Sequence, residues 1–378
     1  MVHALNASVG VQRGPLLAAV PAPTRAPRDH DFDVLRGWAI VLMLFSHVGA
    51  KTAGGALAHL PYWISAADPF FWLSGAMLGM RAADGIAPAG VWQRARQFWL
   101  IHCVLMLAML LVHEATGLFN SPSVAALGGA WAVARKLPLL RVQALDLMNI
   151  LPLFAVFFAL APLLIRALRA GFGWLALSIS AGLWLASQPD PSWVRFSDPA
   201  CGPEPFGVLA WQFTFSSGVF IGYHQAALRA AFCRHPRLAF ALLTAVVGSL
   251  FVLAQLQRAT FGEHALRIPP ALSFLVEKSS WGPVRALYVV ALLIWSYVVL
   301  GLMRRRQPQL CARLLGPLEL MGKNSLYCFL VHLVPALLAS ALLVDNWPTL
   351  PRELLPLLSI AFVYLMARRA VLARYLPR

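Results

Sequence analysis

The chain has 378 residues, 60% of them hydrophobic and only 12% charged, whereas a soluble domain carries roughly a quarter charged. That composition excludes an ordinary soluble fold and points to an integral membrane protein. The net charge of +16 reads as membrane topology and contact with anionic lipid rather than nucleic-acid binding, because no basic domain stands apart.

Residues 1–27 contain "GPLLAAVPAPTRAP", whose prolines interrupt an apolar patch lacking the length and flanks of a secretory segment. A disordered cytoplasmic tail is expected there, ahead of a single transmembrane domain over 28–378. Apolar windows close to the ~20 residues of a spanning helix follow at 34–53, 63–80, 97–117, 149–168, 172–188, 206–227, 237–257, 285–303, 324–344 and 353–373. They predict an all-α polytopic protein with about ten transmembrane helices.

With the N-terminus inside, the termini and even-numbered loops hold 20 of the 31 Lys and Arg residues, and the odd loops hold ten. Positive charge is retained in the cytoplasm during insertion, so both termini are expected to be cytoplasmic and the long loops 117–148, 188–205 and 258–284 external. The remaining basic residue is Arg36, inside the first window.

That window stands in "RDHDFDVLRGWAIVLMLFSHVGA", residues 28–50. At about 100° per residue, the eleven steps from Arg36 to His47 come within about 20° of three whole turns, so both side chains share a face. Asp33 lies on it too. The stripe Asp33, Arg36, Ile40, Met43 or Leu44, His47 places the guanidinium and imidazole positions about 16 Å apart along the axis. Ionisable groups at membrane depth tend to face a cavity or a partner, which makes them functional candidates. The plainer alternatives are an interfacial Asp33–Arg36 pair with a snorkelling arginine, and a hydrogen-bonded packing role for His47.

Further along, "SAADPFFWLSGAMLGM" puts Asp68 at the outer end of the second window, with Trp72 and Gly75 on its face. Asp146 and Asn149 are one turn apart at the outer entrance to the fourth window, and Trp211 and Gln212 sit inside the sixth. Gly75, Ser216, Ser217 and Gly218 read as packing surfaces. "MGKNSLYCFLVHLV" opens the ninth window with Asn324 and Ser325, and His332 follows seven residues later on the same face as Ser325. No metal site is expected: the five cysteines form no CxxC, and His102, His113 and Glu114 lack matching ligands in a second segment. GxSxG, HExxH and P-loop patterns are absent.

Taken in order, "RDHDFDVLRGWAIVLMLFSH", "SAADPFFWLSG", "ALDLMNILPLFAVFFALAPLL", "FGVLAWQFTFSSGVFIG" and "GPLELMGKNSLYCFLVH" resemble the OpgC family of transmembrane acyltransferases over about residues 28–345. The named member of that family adds succinyl groups to osmoregulated periplasmic glucans. The resemblance implies that Asp33, Arg36 and His47 occupy the family's D-x-x-R-G and helix-one histidine positions. It also implies that Asp68 takes a place usually held by glutamate, and that Asn324, Ser325 and His332 fill the ninth-helix motif. Ser46 and Ser65 depart from the pattern, standing where aspartates are common.

The implied activity is acyl transfer from cytoplasmic acyl-CoA, succinyl-CoA or acetyl-CoA, to a hydroxyl of a glucan or other polysaccharide. The implied location is the bacterial inner membrane, among lipid, with a second copy of the chain or glucan-synthesis proteins as partners. Basic groups at the cytoplasmic mouth, with Asp33, Arg36, Asn324 and Ser325, would serve the donor. His47 would take the hydroxyl proton, with Asp68 or His332 orienting it and Asn324 offering a donor to the oxyanion. A transporter of sugar-linked or lipid-linked substrate is the alternative; it predicts related halves with matching broken helices, and the sequence shows neither.

Overall fold

The computed structural model describes residues 29–118, 121–143, 149–190, 192, 194–259, 270–342 and 346–371. The expected N-terminal tail, and Asp146, lie outside these residues. Among the described residues there are helices, turns and loops but no strand. The helices are α1 (His30–Val48), α2 (Ala53–Ala58), α3 (Ala67–Ala83), α4 (Pro88–Thr116), α5 (Ala130–Lys136), α6 (Ile150–Arg169), α7 (Gly173–Ala186), α8 (Val208–Tyr223), α9 (Gln225–Arg234), α10 (Pro236–Ala259), α11 (Pro283–Arg306), α12 (Pro308–Lys323), α13 (Ser325–Ala341) and α14 (Thr349–Arg368).

Each of the ten apolar windows carries a helix. α1 begins four residues before its window because the Asp29 carboxylate accepts from the Asp31 and Phe32 amides, meeting two of the orphan donors of the first turn. Asp31 and Asp33 add favourable negative charge there. Among the described residues, five helices are long and apolar enough to cross a membrane: α4, α6, α10, α11 and α14. The pair α12–α13 makes a sixth if it counts as one span, bent by 91°. The other windows fold into shorter helices or, in α1, one that carries Asp31, Asp33 and Arg36 within 19 residues.

Packing is closest where glycine lets backbones touch. α3 and α8 meet through Gly75, Gly79, Gly218 and Gly222; a Cβ at Gly222 would sit 1.9 Å from the Ala76 carbonyl oxygen. α1 and α12 meet the same way, through Gly37 on Leu318 and Gly322 on Asp33. Small residues are the usual means of bringing membrane helices this close. Between α3, α4, α6 and α8 the core is aromatic, with Phe71 and Phe98 both stacked on Phe154.

Contacts sort the helix ends into two sets. At one end Asp29 pairs with Arg229 (2.7 Å), Asp31 with Arg304 (2.8 Å), and Arg169 donates to the carbonyls of Ala82 and Ile86. The Tyr327 hydroxyl, at the start of α13, bonds the carbonyls of Met366, in the last turn of α14, and of Val371, beyond its end. Both extremes of the chain from 29 to 371 therefore lie at this end. At the opposite end are His47, Asp68, the start of α6 and the start of α11, where the candidate site forms.

Candidate functional site

The α1 stripe meets α13 at two points, Arg36 and His47. At its charged end the Arg36 guanidinium donates to the Ser325 hydroxyl, reaches the Met77 sulfur (2.9 Å), and lies 4.0 Å from the fully buried Asp33 carboxylate. Asn324 occupies the break between α12 and α13, where its side-chain amide donates to the Leu320 carbonyl (3.0 Å). Three of the four expected donor-site residues are thus in one cluster, with the fourth at the adjoining bend.

At the other end of the stripe His47 Nδ1 lies 3.1 Å from His332 Nε2, with the two rings stacked at 5.3 Å. His332 is fully buried, and its Nδ1 contacts the Phe329 carbonyl. A carbonyl only accepts, so His332 Nδ1 carries the proton and a neutral His332 presents Nε2 as an acceptor. His47 must therefore donate from Nδ1. In the neutral ring that leaves a lone pair on His47 Nε2, the state a proton acceptor needs.

His47 also lines a cavity of about 450 Å³, bounded by the last two turns of α1 (Met43, Ser46), the approach to α3 and its first residue (Ser65, Ala66, Ala67), Ile150, the segment Pro203–Phe206, and Lys278. Ser46 and Ser65 both stand on its wall. Ser46 donates to the Leu42 carbonyl (2.9 Å) and so accepts from His59 Nε2 at 3.1 Å. His59 lies outside the spans; burial first, then the charges of Arg258 and Lys278, hold its imidazole below its ordinary value.

Asp68 has other partners than the histidines. Its carboxylate receives Arg285 Nε (3.2 Å) and Nη2 (2.6 Å), Trp281 Nε1 (3.0 Å), and the amide and hydroxyl of Ser65 (2.7 and 2.8 Å). Fully buried and saturated, it binds the start of α11 to the start of α3 and holds Ser65 at the cavity wall. Trp211 and Gln212 are likewise engaged: the indole donates to the Lys278 carbonyl (3.0 Å), and the amide to the carbonyls of Ser180 and Leu209. Glu114 accepts from the Val124 amide, and His113 meets the Leu118 carbonyl.

The sequence pattern does not single out Arg285, Trp281, Glu204, His59 or Lys278. Arg285 and Lys278 register in it only as loop charges, and Trp281 only as one of 13 tryptophans. A buried carboxylate at 68 does signal that a cation must be near it, without naming which.

Among curated proteins, none matches the chain. The sequence model of the OpgC protein family matches residues 28–375, and it spans the α1 stripe, the Asp68 pair, the cavity wall and the α12–α13 break together. The chain belongs to the OpgC protein family, a membership that brings with it a membrane acyltransferase-like role.

Proposed function

We propose that this protein is an acyl-CoA-dependent O-acyltransferase that moves a succinyl or acetyl group from a cytoplasmic donor to a hydroxyl of a periplasmic or cell-surface glucan, with His47 as general base. The observation that carries this reading is the His47–His332 hydrogen bond, which leaves a lone pair on a histidine lining a substrate-sized cavity.

In the proposed step, the acceptor hydroxyl oxygen attacks the thioester carbonyl carbon while His47 Nε2 takes its proton. The carbonyl π electrons move to oxygen, giving a tetrahedral oxyanion. Its collapse re-forms the carbonyl and breaks the carbon–sulfur bond, and the departing thiolate recovers the proton from His47. His332 fixes the tautomer and orientation of His47 throughout, held in turn by Phe329. Asp68 shapes the acceptor side of the cavity through Ser65. At the charged end, Arg36 exchanges Ser325 for a phosphate or carbonyl oxygen of the donor, with Asp33 and Asn324 holding the α1–α13 junction in place.

The ten helices are read as ten spans in the bacterial inner membrane, with both termini cytoplasmic. Supporting this are the charge count and the placing of residues 29 and 371 at one end, together with the basic helix ends of α6, α11 and α14. The reading is tested by incubating purified protein with labelled succinyl-CoA or acetyl-CoA and an oligoglucan, followed by mass spectrometry of the sugar. Acyl esters on the glucan support it. Glucan left unmodified by either donor overturns it.

A further inference from the structure

α13 meets α1 at two levels, Ser325 against Arg36 and His332 against His47, so the two helices run in the same direction. α12 is bent from α13 by 91°, which lays it across α1 at the charged end. There Glu319 pairs with His30 (2.7 Å) and with Lys323 (2.5 Å), and Arg304, in the last turn of α11, pairs with Asp31 (2.8 Å). With α1 and α13 as spans, a helix that crosses their charged ends lies in the plane of the cytoplasmic membrane surface.

α12 has three sides. At about 100° per residue, Cys311, Leu318 and Gly322 share one; Cys311 is buried, and Leu318 and Gly322 touch the α1 backbone at Gly37 and Asp33. Glu319 and Lys323 stand on a second. The third carries Leu310, Leu314 and Pro317 within an arc of about 60°. Leu310 is 45% exposed, Leu314 is 62% exposed, and Pro317 is exposed. The same stripe ends at Met321, which is buried, so the apolar side is open over the first turns of α12 and closed near its end.

Arg313 flanks the open stripe and is exposed, and Arg305 and Arg306 are exposed just before Pro308 opens the helix. An apolar face bordered by arginines is the pattern of a helix lying in the headgroup boundary, its leucines among acyl chains and its guanidinium groups level with phosphates. Residues 305–317 carry three arginines and no acidic residue, so charge complementarity selects a negative headgroup over a neutral one.

We infer that the face of α12 that carries Leu310 and Leu314 is a docking surface for anionic phospholipid of the cytoplasmic leaflet, whose headgroups are held by Arg305, Arg306 and Arg313. The inference rests on the reading of α1 and α13 as spans and is independent of the acyl-transfer step. The helix that takes the lipid leads directly into Asn324 and Ser325, and so into the Arg36 contact.

The test reconstitutes the full chain in nanodiscs of equal parts phosphatidylcholine and phosphatidylglycerol that contain a trace of one lipid or the other in photoactivatable form. Crosslinks are mapped by peptide mass spectrometry. Residues 305–317 are expected to take phosphatidylglycerol over phosphatidylcholine by about fivefold or more, the preference that a single arginine near an anionic surface confers. Added salt is expected to narrow the difference. The variant Arg305→Gln/Arg306→Gln/Arg313→Gln is expected to lose the preference there, with crosslinks to α10 as in the wild type. Equal uptake of the two lipids by residues 305–317 of the wild type overturns the inference, and so does a preference that survives in the folded triple variant. Lipid absent from 305–317 while α10 is crosslinked also overturns it, and leaves the face to a second copy of the chain or another protein. Lipid absent from α10, α11 and α14 as well overturns the membrane reading itself. Should the triple variant fail to fold, the wild-type comparison of the two lipids and its salt dependence decide between these outcomes.

Discussion

Asp68 and Arg285 bind each other through two nitrogen–oxygen contacts, 3.2 and 2.6 Å, with side-chain exposures of 0% and 6%. The two residues are 217 positions apart in the chain. Removing one partner of such a pair leaves an uncompensated buried charge, which typically costs about 3–5 kcal/mol. Asp68→Ala and Arg285→Met are therefore each expected to lower thermal stability in detergent sharply. The double variant is expected to recover part of the loss, because no charge is then stranded. Single variants as stable as wild type would show that the pair is not buried in the working protein.

The glycine contacts between α3 and α8 give a second expectation. Gly222→Val would drive a branched side chain into the Ala76 backbone, which the neighbouring helix can relieve only by moving away. Overpacking of this kind costs about 1–3 kcal/mol or more. Loss of folded protein in fluorescence-detected size exclusion checks it, with Gly248→Val as the control, since that position opens on free space.

His59 supplies a pH dependence. Burial and the charges of Arg258 and Lys278 lower its folded-state value, while the unfolded chain titrates near about 6.5. Between these two values the unfolded state binds more protons, so stability falls as pH drops below about 6.5 and is undisturbed above it. Wild type should therefore lose more Tm between pH 7 and pH 5 than His59→Gln does. Parallel slopes for the two proteins would contradict the shift.

At the charged end, Arg36→Ala is expected to weaken acyl-CoA binding about tenfold or more while leaving glucan affinity unchanged, and Arg36→Lys to restore only part, because a lysine cannot reproduce a two-pronged contact. Added salt should weaken donor binding in the wild type. Isothermal titration with a non-transferable donor analogue measures both effects; equal donor affinity in Arg36→Ala would remove Arg36 from the donor site.

What was legible in the sequence was whatever a single helix carries. The 3.6-residue period placed Arg36 and His47 on one face, and in the structure both of them meet α13, at Ser325 and His332. Hydropathy located a helix in every window, because burial in lipid and burial in protein both demand apolar side chains. It misplaced the start of α1, which a capping aspartate sets, and it gave no sign of the 91° bend before Ser325. Relationships between distant segments were hidden for a physical reason: Asp68 finds Arg285, and Lys278 finds the His47 cavity, only after loops close that no local pattern describes. Ser46 and Ser65 stand out in the sequence only through the resemblance, and their place on the cavity wall is a property of three-dimensional packing.

The central claim is that His47 takes the acceptor proton, positioned by His332. Its most direct test is the single-turnover transfer rate of His47→Gln, in protein preloaded with acyl-CoA so that donor binding does not enter the rate. Loss of about 10²-fold or more, with fold and donor affinity kept, is the result expected for removal of a general base. Transfer at near wild-type rate in folded, donor-loaded His47→Gln would contradict the claim and make the His47–His332 contact a packing interaction.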